Sequence, residues 1–484
     1  MGVLSNLEPK PVFEYFEKLC AVPHGSYNTK QVSDLCVGFA KELGLRWRQD
    51  EANNVVIWKD ASPGAENAAP VILQGHMDMV CAKTPDCAKD MAKEGLDLAT
   101  DGEWIWAEKT SLGGDDCIAV AMILALLADD TLVHPPIEAV FTTEEEVGMD
   151  GARALDCSDL KGRELLNLDS EEEGIFTVSC AGGLRADCVL PCKMSPLAGE
   201  RAYKLTLSGL QGGHSGTDIN KGRASANRLI ARLLLSAAER FPSLRLADLS
   251  GGQFDNVICS HAEAAAAVDE KDAAAFEGFL KDFAATLHNE YAGSGDNLAL
   301  ALEPAEGVTG ALGAAETAAA LRFLAILPQG VQAMSADFPG LVQTSANVGV
   351  LRLDAEGLHA AISIRSSVGS QKEMALQQIL AAASLAGAQV TTHGNYSGWQ
   401  YAPQSSLRER LLASYKALTG KDAEVVAIHA GLECGLFAEK LPGLDAVSIG
   451  PDVRDVHSVK ERLNVASTAR TYELVRRFLK DSVS

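Results

Sequence analysis

Several short apolar runs in this chain stop at glycine, acid or imidazole, and those endings constrain its fold more than any other feature. In Val71–Ile72–Leu73–Gln74–Gly75–His76–Met77–Asp78–Met79–Val80 an apolar stretch reaches Gly75, then His76, then Asp78. Positions two apart in an extended chain face the same side. A buried strand here delivers an imidazole and a carboxylate together at its C-terminal end, an economical way to hold a metal ion and orient its ligand. His-x-Asp alone is commonplace. Its weight comes from the strand ends that follow.

Ser111–Leu112–Gly113–Gly114–Asp115–Asp116 is a glycine-rich turn opening a buried helix, where one Asp can cap the helix and the other face a metal. Thr142–Thr143–Glu144–Glu145–Glu146–Val147–Gly148–Met149 puts three carboxylates after an apolar run, and Leu166–Asn167–Leu168–Asp169–Ser170–Glu171–Glu172–Glu173 repeats the pattern. His457 closes Gly450–Pro451–Asp452–Val453–Arg454–Asp455–Val456–His457, again beyond a strand-like segment. Each alone reads as a solvated loop or a surface His. Together they match a parallel sheet, which places ligands beyond the carboxyl ends of its strands.

The surrounding pattern supports that sheet. Val12–Cys20 and Thr29–Leu43 have helical spacing, and Val55–Trp58, Val71–Gln74, Ile137–Thr142 and Leu165–Leu168 read as strands. Asp116–Leu127 is apolar nearly all round, as in a buried helix. The expected fold class is α/β: a domain with a mostly parallel sheet flanked by helices, plus an inserted α+β domain. The character changes near Ala181–Gly182–Gly183. Strand Arg201–Ser208, helix Arg223–Arg240, Ala-rich helices Ala262–His288 and Ala314–Ile326, strands Val342–Leu353 and Leu358–Ser366, and helix Gln371–Ala386 are expected there. After Gly398 the first pattern returns, with helices Ser405–Leu418, Leu432–Lys440 and Val465–Lys480 and strands Glu424–Ile428 and Ala446–Ile449. The expected division is therefore 1–183 with 399–484, interrupted by 184–398.

A chain of 484 residues exceeds one ordinary core and agrees with two domains. The net charge of −23 argues against nucleic acid or an anionic membrane as partner. The longest apolar run, roughly Cys117–Ala128, falls short of the ~20 residues of a membrane span. Met1–Gly2–Val3–Leu4–Ser5–Asn6 has neither a basic n-region nor an apolar h-region, so no signal peptide is expected. Eleven Cys, odd in number and without Cys-x-x-Cys, point to a reduced, cytoplasmic setting and away from a thiolate zinc cluster.

Two His and three carboxylates suit a pair of cation sites with N and O ligands. Zinc fits best, with manganese and cobalt as alternatives. A carboxylate between two cations relieves their repulsion, and a further carboxylate that is not a ligand can serve as general base. Adjacent Glu145 and Glu146 can divide those roles. Leu112–Gly113–Gly114–Asp115–Asp116, with no Lys and two acids, is no phosphate loop.

Gly75-His76-Met77-Asp78-Met79-Val80, Gly113-Gly114-Asp115-Asp116, Glu145-Glu146-Val147-Gly148-Met149, Leu168-Asp169-Ser170-Glu171-Glu172-Glu173, Gly212-Gly213-His214-Ser215-Gly216, His429-Ala430-Gly431-Leu432-Glu433-Cys434-Gly435 and Gly450-Pro451 through His457-Ser458 resemble, in order and over nearly the whole chain, the bacterial aminoacyl-histidine dipeptidases. These are also called cytosolic non-specific dipeptidases. They belong with the co-catalytic zinc peptidases that include carnosinases and aminoacylase-like enzymes. The resemblance implies that His76 and Asp169 bind one zinc, Glu146 and His457 the other, and that Asp115 bridges them. It implies Glu145 as the base, Asp78 as the residue orienting His76, and a cis peptide after Asp115. His214 is implied to polarise the scissile carbonyl, and Asn256 and Arg365 to bind substrate. Arg suits a free α-carboxylate because its fork is bidentate, and the amides near Gly431, at a helix start, suit the same group. Dipeptide substrates, a homodimer, a catalytic first domain and an inserted lid and dimerisation domain follow from the same resemblance.

Two departures stand out. The family more often has Gly-Ala-Asp-Asp/Asn-Gly-Ile-Gly where this chain has Gly113-Gly114-Asp115-Asp116-Cys117-Ile118-Ala119, and Glu144 is an additional acid. A slipped register would make Glu144 the base and Glu145 the ligand. The rival activities are a tripeptide aminopeptidase, an aminoacylase-like amidohydrolase, or a catalytically silent scaffold. Glu145 beside a full ligand set argues against the last.

Overall fold

The computed structural model describes residues 2–483. They form two compact units. The first comprises the chain through Ser179, Tyr401–Ala427 and the chain from Leu432 onward. The second comprises Cys180–Gln400 and Ile428–Gly431.

The first unit is built on an eight-stranded sheet in the order Arg46–Gln49, Val55–Lys59, Ile137–Thr142, Val71–His76, Glu164–Asn167, Asp445–Ser448, Ile175–Cys180, Glu424–Ile428. Its middle is parallel: Val71–His76 pairs in parallel with Ile137–Thr142 and Glu164–Asn167, and Glu164–Asn167 pairs in parallel with Asp445–Ser448. Antiparallel partners flank this block. Parallel strands covered on both faces are apolar runs rather than alternating ones, and Val71–His76 and Ile137–Thr142 are buried at every position. The strand expectations for this unit thus rest on a real physical signal, and the mostly parallel sheet follows.

Helix Gly114–Ala128 packs against the Val71–His76 strand and helix Lys10–Cys20, and its side chains are buried from Cys117 through Leu127. Gly75 makes the close packing feasible. A Cβ there would lie 2.7 Å from the Ala119 Cβ and 2.7 Å from Asp116 Oδ2. Gly450 plays the same part between two loops, since its Cβ would sit 1.6 Å from the Ser170 carbonyl oxygen. Backbone bonds from Ile449 N–H to Asn167 O (3.0 Å) and from Ser170 N–H to Ile449 O (3.3 Å) bind those loops together.

The second unit is an antiparallel sheet in the order Ala299–Pro304, Glu200–Ser208, Ala262–Asp269, Arg245–Gly251, Val342–Leu353, Leu358–Ser366, Gly182–Leu190, Gln389–Tyr396, with Gly330–Met334 paired to Val342–Leu353. Helices Ala226–Arg240, Ala273–Glu290, Ala314–Ile326 and Gly369–Ala386 contribute to its core. One expectation fails here. Ala262–His288 is not one helix: Ala262–Asp269 is a strand, and the helix begins at Ala273. Alanine favours helix intrinsically. Full ladders with Glu200–Ser208 on one side and Arg245–Gly251 on the other override that preference. The small side chains then leave room for Phe276 and Phe241 in the core.

Adding one methyl group at Gly75 tests the close packing of helix on strand. Gly75→Ala should lower the melting temperature, at a cost of about 1–3 kcal/mol typical of overpacking. An unchanged melting temperature would mean that the helix start is not held against the strand as described.

Candidate active site

The four parallel strands end on the same edge of the sheet, and the candidate side chains from their ends lie there. His76 is the last residue of its strand, Asp169 follows the strand ending at Asn167, Glu145 and Glu146 follow the one ending at Thr142, and His457 lies beyond the one ending at Ser448. Asp115 enters from the start of the buried helix, where Asp115 and Asp116 depart from helical geometry. The Asp115–Asp116 peptide is cis.

The side chains form a chain of alternating charge. Asp115 Oδ1 lies 3.1 Å from His76 Nε2, and Asp115 Oδ2 lies 3.3 Å from His457 Nε2. Asp169 Oδ1 approaches His76 Nε2 at 3.4 Å, and Glu146 Oε2 approaches His457 Nε2 at 2.8 Å. One carboxylate therefore sits between two imidazoles, and each imidazole has a second carboxylate of its own.

The tautomer of His76 follows from its other nitrogen. Nδ1 donates to the main-chain oxygen of Asp78 at 2.9 Å. A carbonyl only accepts, so Nδ1 carries a proton, which leaves Nε2, facing Asp115 and Asp169, as the nitrogen that could ligate a metal. The Asp78 carboxylate lies at the same edge of the ring. Its Oδ1 is 3.5 Å from His76 Nδ1. It also accepts from Ser26 Oγ (2.8 Å), from the Glu145 N–H (3.1 Å) and from the Glu146 N–H (3.4 Å). Asp78 thus fastens the acidic loop to the end of the His76 strand.

The three acids of that loop diverge. Glu144 accepts from the Tyr27 N–H at 2.5 Å and from Thr29 Oγ1 at 3.1 Å. Glu146 meets His457, while Glu145 is partly buried and makes no side-chain hydrogen bond among the described residues. His457 has φ +60° and Glu144 φ +57°. Non-glycine residues in that left-handed region cost of order 1–3 kcal/mol and are concentrated at functional sites.

Burial and like charge dominate the electrostatics. Burial pushes Asp169 up to about 8 against the opposing pull of His76. Burial, with Asp169, Glu433 and Glu146 nearby, also raises Glu145 well above the usual carboxylate range. Burial would raise Asp115 too, but the imidazoles on either side hold it below that range. Hydrogen bonds to Asp115 and Glu146 carry His457 up to about 11.

Such a site has an excess of acceptors. Glu146 Oε1 is buried without a hydrogen-bond partner. Ligand atoms of His76, Asp115 and Glu146 lie within 4.8 Å of one another, as do those of His76, Asp116 and Asp169. A donor set of imidazole nitrogens and carboxylate oxygens around an orphaned acceptor fits divalent cations.

The chain matches the model of peptidase family M20/M25/M40 over residues 72–481. It belongs to that family. It is 38% identical over 482 residues to the cytosol non-specific dipeptidase of Escherichia coli (strain K12), covering 99% of each chain. Its fold is similar to the crystal structure of aminoacylhistidine dipeptidase from Vibrio alginolyticus, with a TM-score of 0.93 and 34% identity over 99% of this chain and 98% of that one. Aminopeptidase PepT from Bacillus cereus, at 15% identity and a TM-score of 0.58, shares the fold.

Two residues of the peptidase that support the site escape sequence reasoning. Glu461 accepts from the N–H groups of Leu112 (2.9 Å), Gly113 (3.2 Å), Gly114 (2.8 Å) and Asp115 (3.4 Å), and so holds the turn that carries Asp115. Glu433 is fully buried and accepts from Gln74 Nε2 and Thr142 Oγ1, both at 2.6 Å. Gln74 in turn accepts from Asn167 Nδ2 at 2.6 Å. Only the buried polar positions within the apolar runs, Gln74 and Asn167, hint at this network in the sequence.

The remaining expected site residues fall in the second unit. His214 lies in a two-residue strand paired with Val257–Ile258, and the Asn256 carbonyl accepts from the Ser215 N–H at 2.9 Å. Arg365 is buried, with Nη2 3.4 Å from His214 Nε2 and Nη1 3.4 Å from Tyr396 Oη. Gly431 is half-buried and ends the short return segment Ile428–Gly431.

Removing the anchor of the Asp115 turn tests its importance. Glu461→Ala should leave four buried N–H groups without their acceptor, at about 1–3 kcal/mol for each unsatisfied group. A lower melting temperature and at least roughly ten-fold weaker metal binding are expected. Normal metal affinity in a destabilised variant would show that the turn does not depend on this carboxylate.

Proposed function

We propose that this peptidase hydrolyses dipeptides of broad sequence, Xaa-His dipeptides among them, using two zinc ions and Glu145 as general base. The observation that carries the reading is Asp115 set between His76 and His457, each with a further carboxylate. The similarity to the E. coli dipeptidase over 99% of both chains supplies the substrate class. We assign His76 and Asp169 to one zinc, Glu146 and His457 to the other, and Asp115 to both.

Bound divalent cations supply Lewis acidity to the scissile carbonyl and lower the pKa of water. The protein's own part is proton handling and positioning. Glu145 takes the proton of the attacking water and returns it to the leaving amine. Its carboxylate is free to do so, because Asp78 holds the Glu145 main-chain N–H rather than its side chain. A raised carboxylate pKa in a buried, acidic setting suits a group that must both accept and release a proton.

Arg365, His214, Asn256 and Gly431 are proposed to bind substrate, with Arg365 receiving the C-terminal carboxylate. We further assign 184–398 as lid and dimerisation domain and 1–183 with 399–484 as catalytic domain, in a cytosolic homodimer. Among the described residues no helix is long and apolar enough to cross a membrane, and no disulfide joins the cysteines.

Elemental analysis of the active protein should find about two zinc ions per chain, and a chelator should abolish turnover reversibly. Glu145→Gln should keep both metals and lose most of kcat, whereas Glu146→Gln should lose metal at one site. Metal loss in Glu145→Gln, with only a rate effect in Glu144→Gln, would sink the assignment. Arg365→Ala should reduce kcat/KM on a dipeptide by about 1.5–3 kcal/mol, the value of hydrogen bonds to a charged group, and change the dipeptide amide little. Equal losses on both substrates would mean that Arg365 supports the fold rather than reading the carboxylate.

A further inference from the structure

Arg365 is a buried cation without a carboxylate partner among the described residues, in a chain that carries an excess of acids. It is 9% exposed, its Nε has no hydrogen-bond partner, and its contacts are with His214 and Tyr396. A desolvated charge left in this state calls for an anion.

A second unpaired group is built beside it. Ser345 and Arg365 are directly opposed on the antiparallel strands Val342–Leu353 and Leu358–Ser366. Residues so opposed project from the same face of a sheet. The hydroxyl of Ser345, 1% exposed, lies 2.7 Å from His429 Nε2. His429 is 4% exposed, and its Nδ1 is buried with no partner. Gly216 brings this ring's backbone close to His214, since a Cβ at Gly216 would lie 2.5 Å from the His429 carbonyl oxygen and 2.9 Å from His214 Cε1.

These contacts set the chemistry of the ring. Burial, with Arg365 and His214 nearby, pushes His429 down to about 3, so the ring is neutral at physiological pH. A neutral imidazole carries one proton. If the Ser345 hydroxyl donates into Nε2, that proton is on Nδ1, and a neutral N–H donor stands unpaired beside an unpaired guanidinium.

We propose that His429, oriented by Ser345, is a carboxylate-binding residue that donates its Nδ1–H to the C-terminal carboxylate of the substrate alongside Arg365. The inference rests on the dipeptidase reading for the identity of the carboxylate. His429 binds the substrate, and Ser345 is a positioning residue that holds the ring at Nε2. A neutral donor adds specificity for the anion without a second buried charge.

The test compares alanyl-leucine with its C-terminal amide, using the zinc-loaded full chain. An Asn side chain can place an N–H near the position of Nδ1, whereas Gln reaches instead toward Nε2 and Ser345. His429→Gln should lower kcat/KM on alanyl-leucine about 10- to 100-fold and leave the amide within about two-fold. His429→Asn should recover most of that loss, and Ser345→Ala should show a smaller loss confined to the acid. Calorimetric binding of L-leucine and L-leucinamide should separate in the same order. Equal effects on acid and amide, or Gln serving as well as Asn, overturn the proposal. A wild-type protein that splits neither peptide refutes the dipeptidase reading, while L-leucine binding still decides the role of His429.

Discussion

Crowding of negative charge at one sheet edge is the constraint on which the rest of the structure depends. Asp78, Asp115, Asp116, Glu145, Glu146 and Asp169 gather around two imidazoles at the carboxyl ends of parallel strands. Like charges so close cannot all ionise without compensation. The structure answers in two ways. Asp115 is shared between His76 and His457 and is held ionised, while burial drives Asp116, Glu145 and Asp169 toward their neutral forms. Divalent cations would supply the missing positive charge.

Holding that arrangement together requires support outside those side chains. Glu461 gathers the four amides of the turn that presents Asp115, and Asp78 gathers the amides of the loop that presents Glu145 and Glu146. Beneath them, Glu433 ties Gln74 to Thr142, and Gln74 ties to Asn167. Gln74 and Asn167 each stand two positions before a site residue on a strand. Buried polar groups are costly unless paired, so these bonds fix the strand ends and with them the spacing of His76 and Asp169.

The second unit has the opposite character around Arg365. A buried guanidinium lies beside His214 and His429, and among the described residues no carboxylate pairs with it; Asp218 accepts from the His214 main-chain N–H instead. A site poor in anions suits a substrate that brings its own carboxylate. A site crowded with them suits metal ions and water activation. Both kinds of chemistry arise here from desolvation, with charge of opposite sign left over.

The sequence by itself determined the ends of the strands and the residues they present. Apolar runs closing in His76, Glu144–Glu146 and Asp169 mark a parallel sheet whose loops carry the chemistry, because burial on both faces leaves only strand ends for polar groups. Local pattern also located most helices within a few residues. Tertiary structure decided the rest. Ala262–Asp269 is a strand because its neighbours complete its ladders, against the local preference of alanine. Which acid of the Glu144–Glu146 run meets His457 was settled by Tyr27, Thr29 and Asp78 from distant parts of the chain. Glu461, 349 residues from Leu112, had no local signal, because a carboxylate that caps amides so remote in sequence has no spacing to reveal it. Ile428–Gly431 joins the second unit for the same reason: contacts over long separations, such as His429 with Ser345, exist only once the chain has folded.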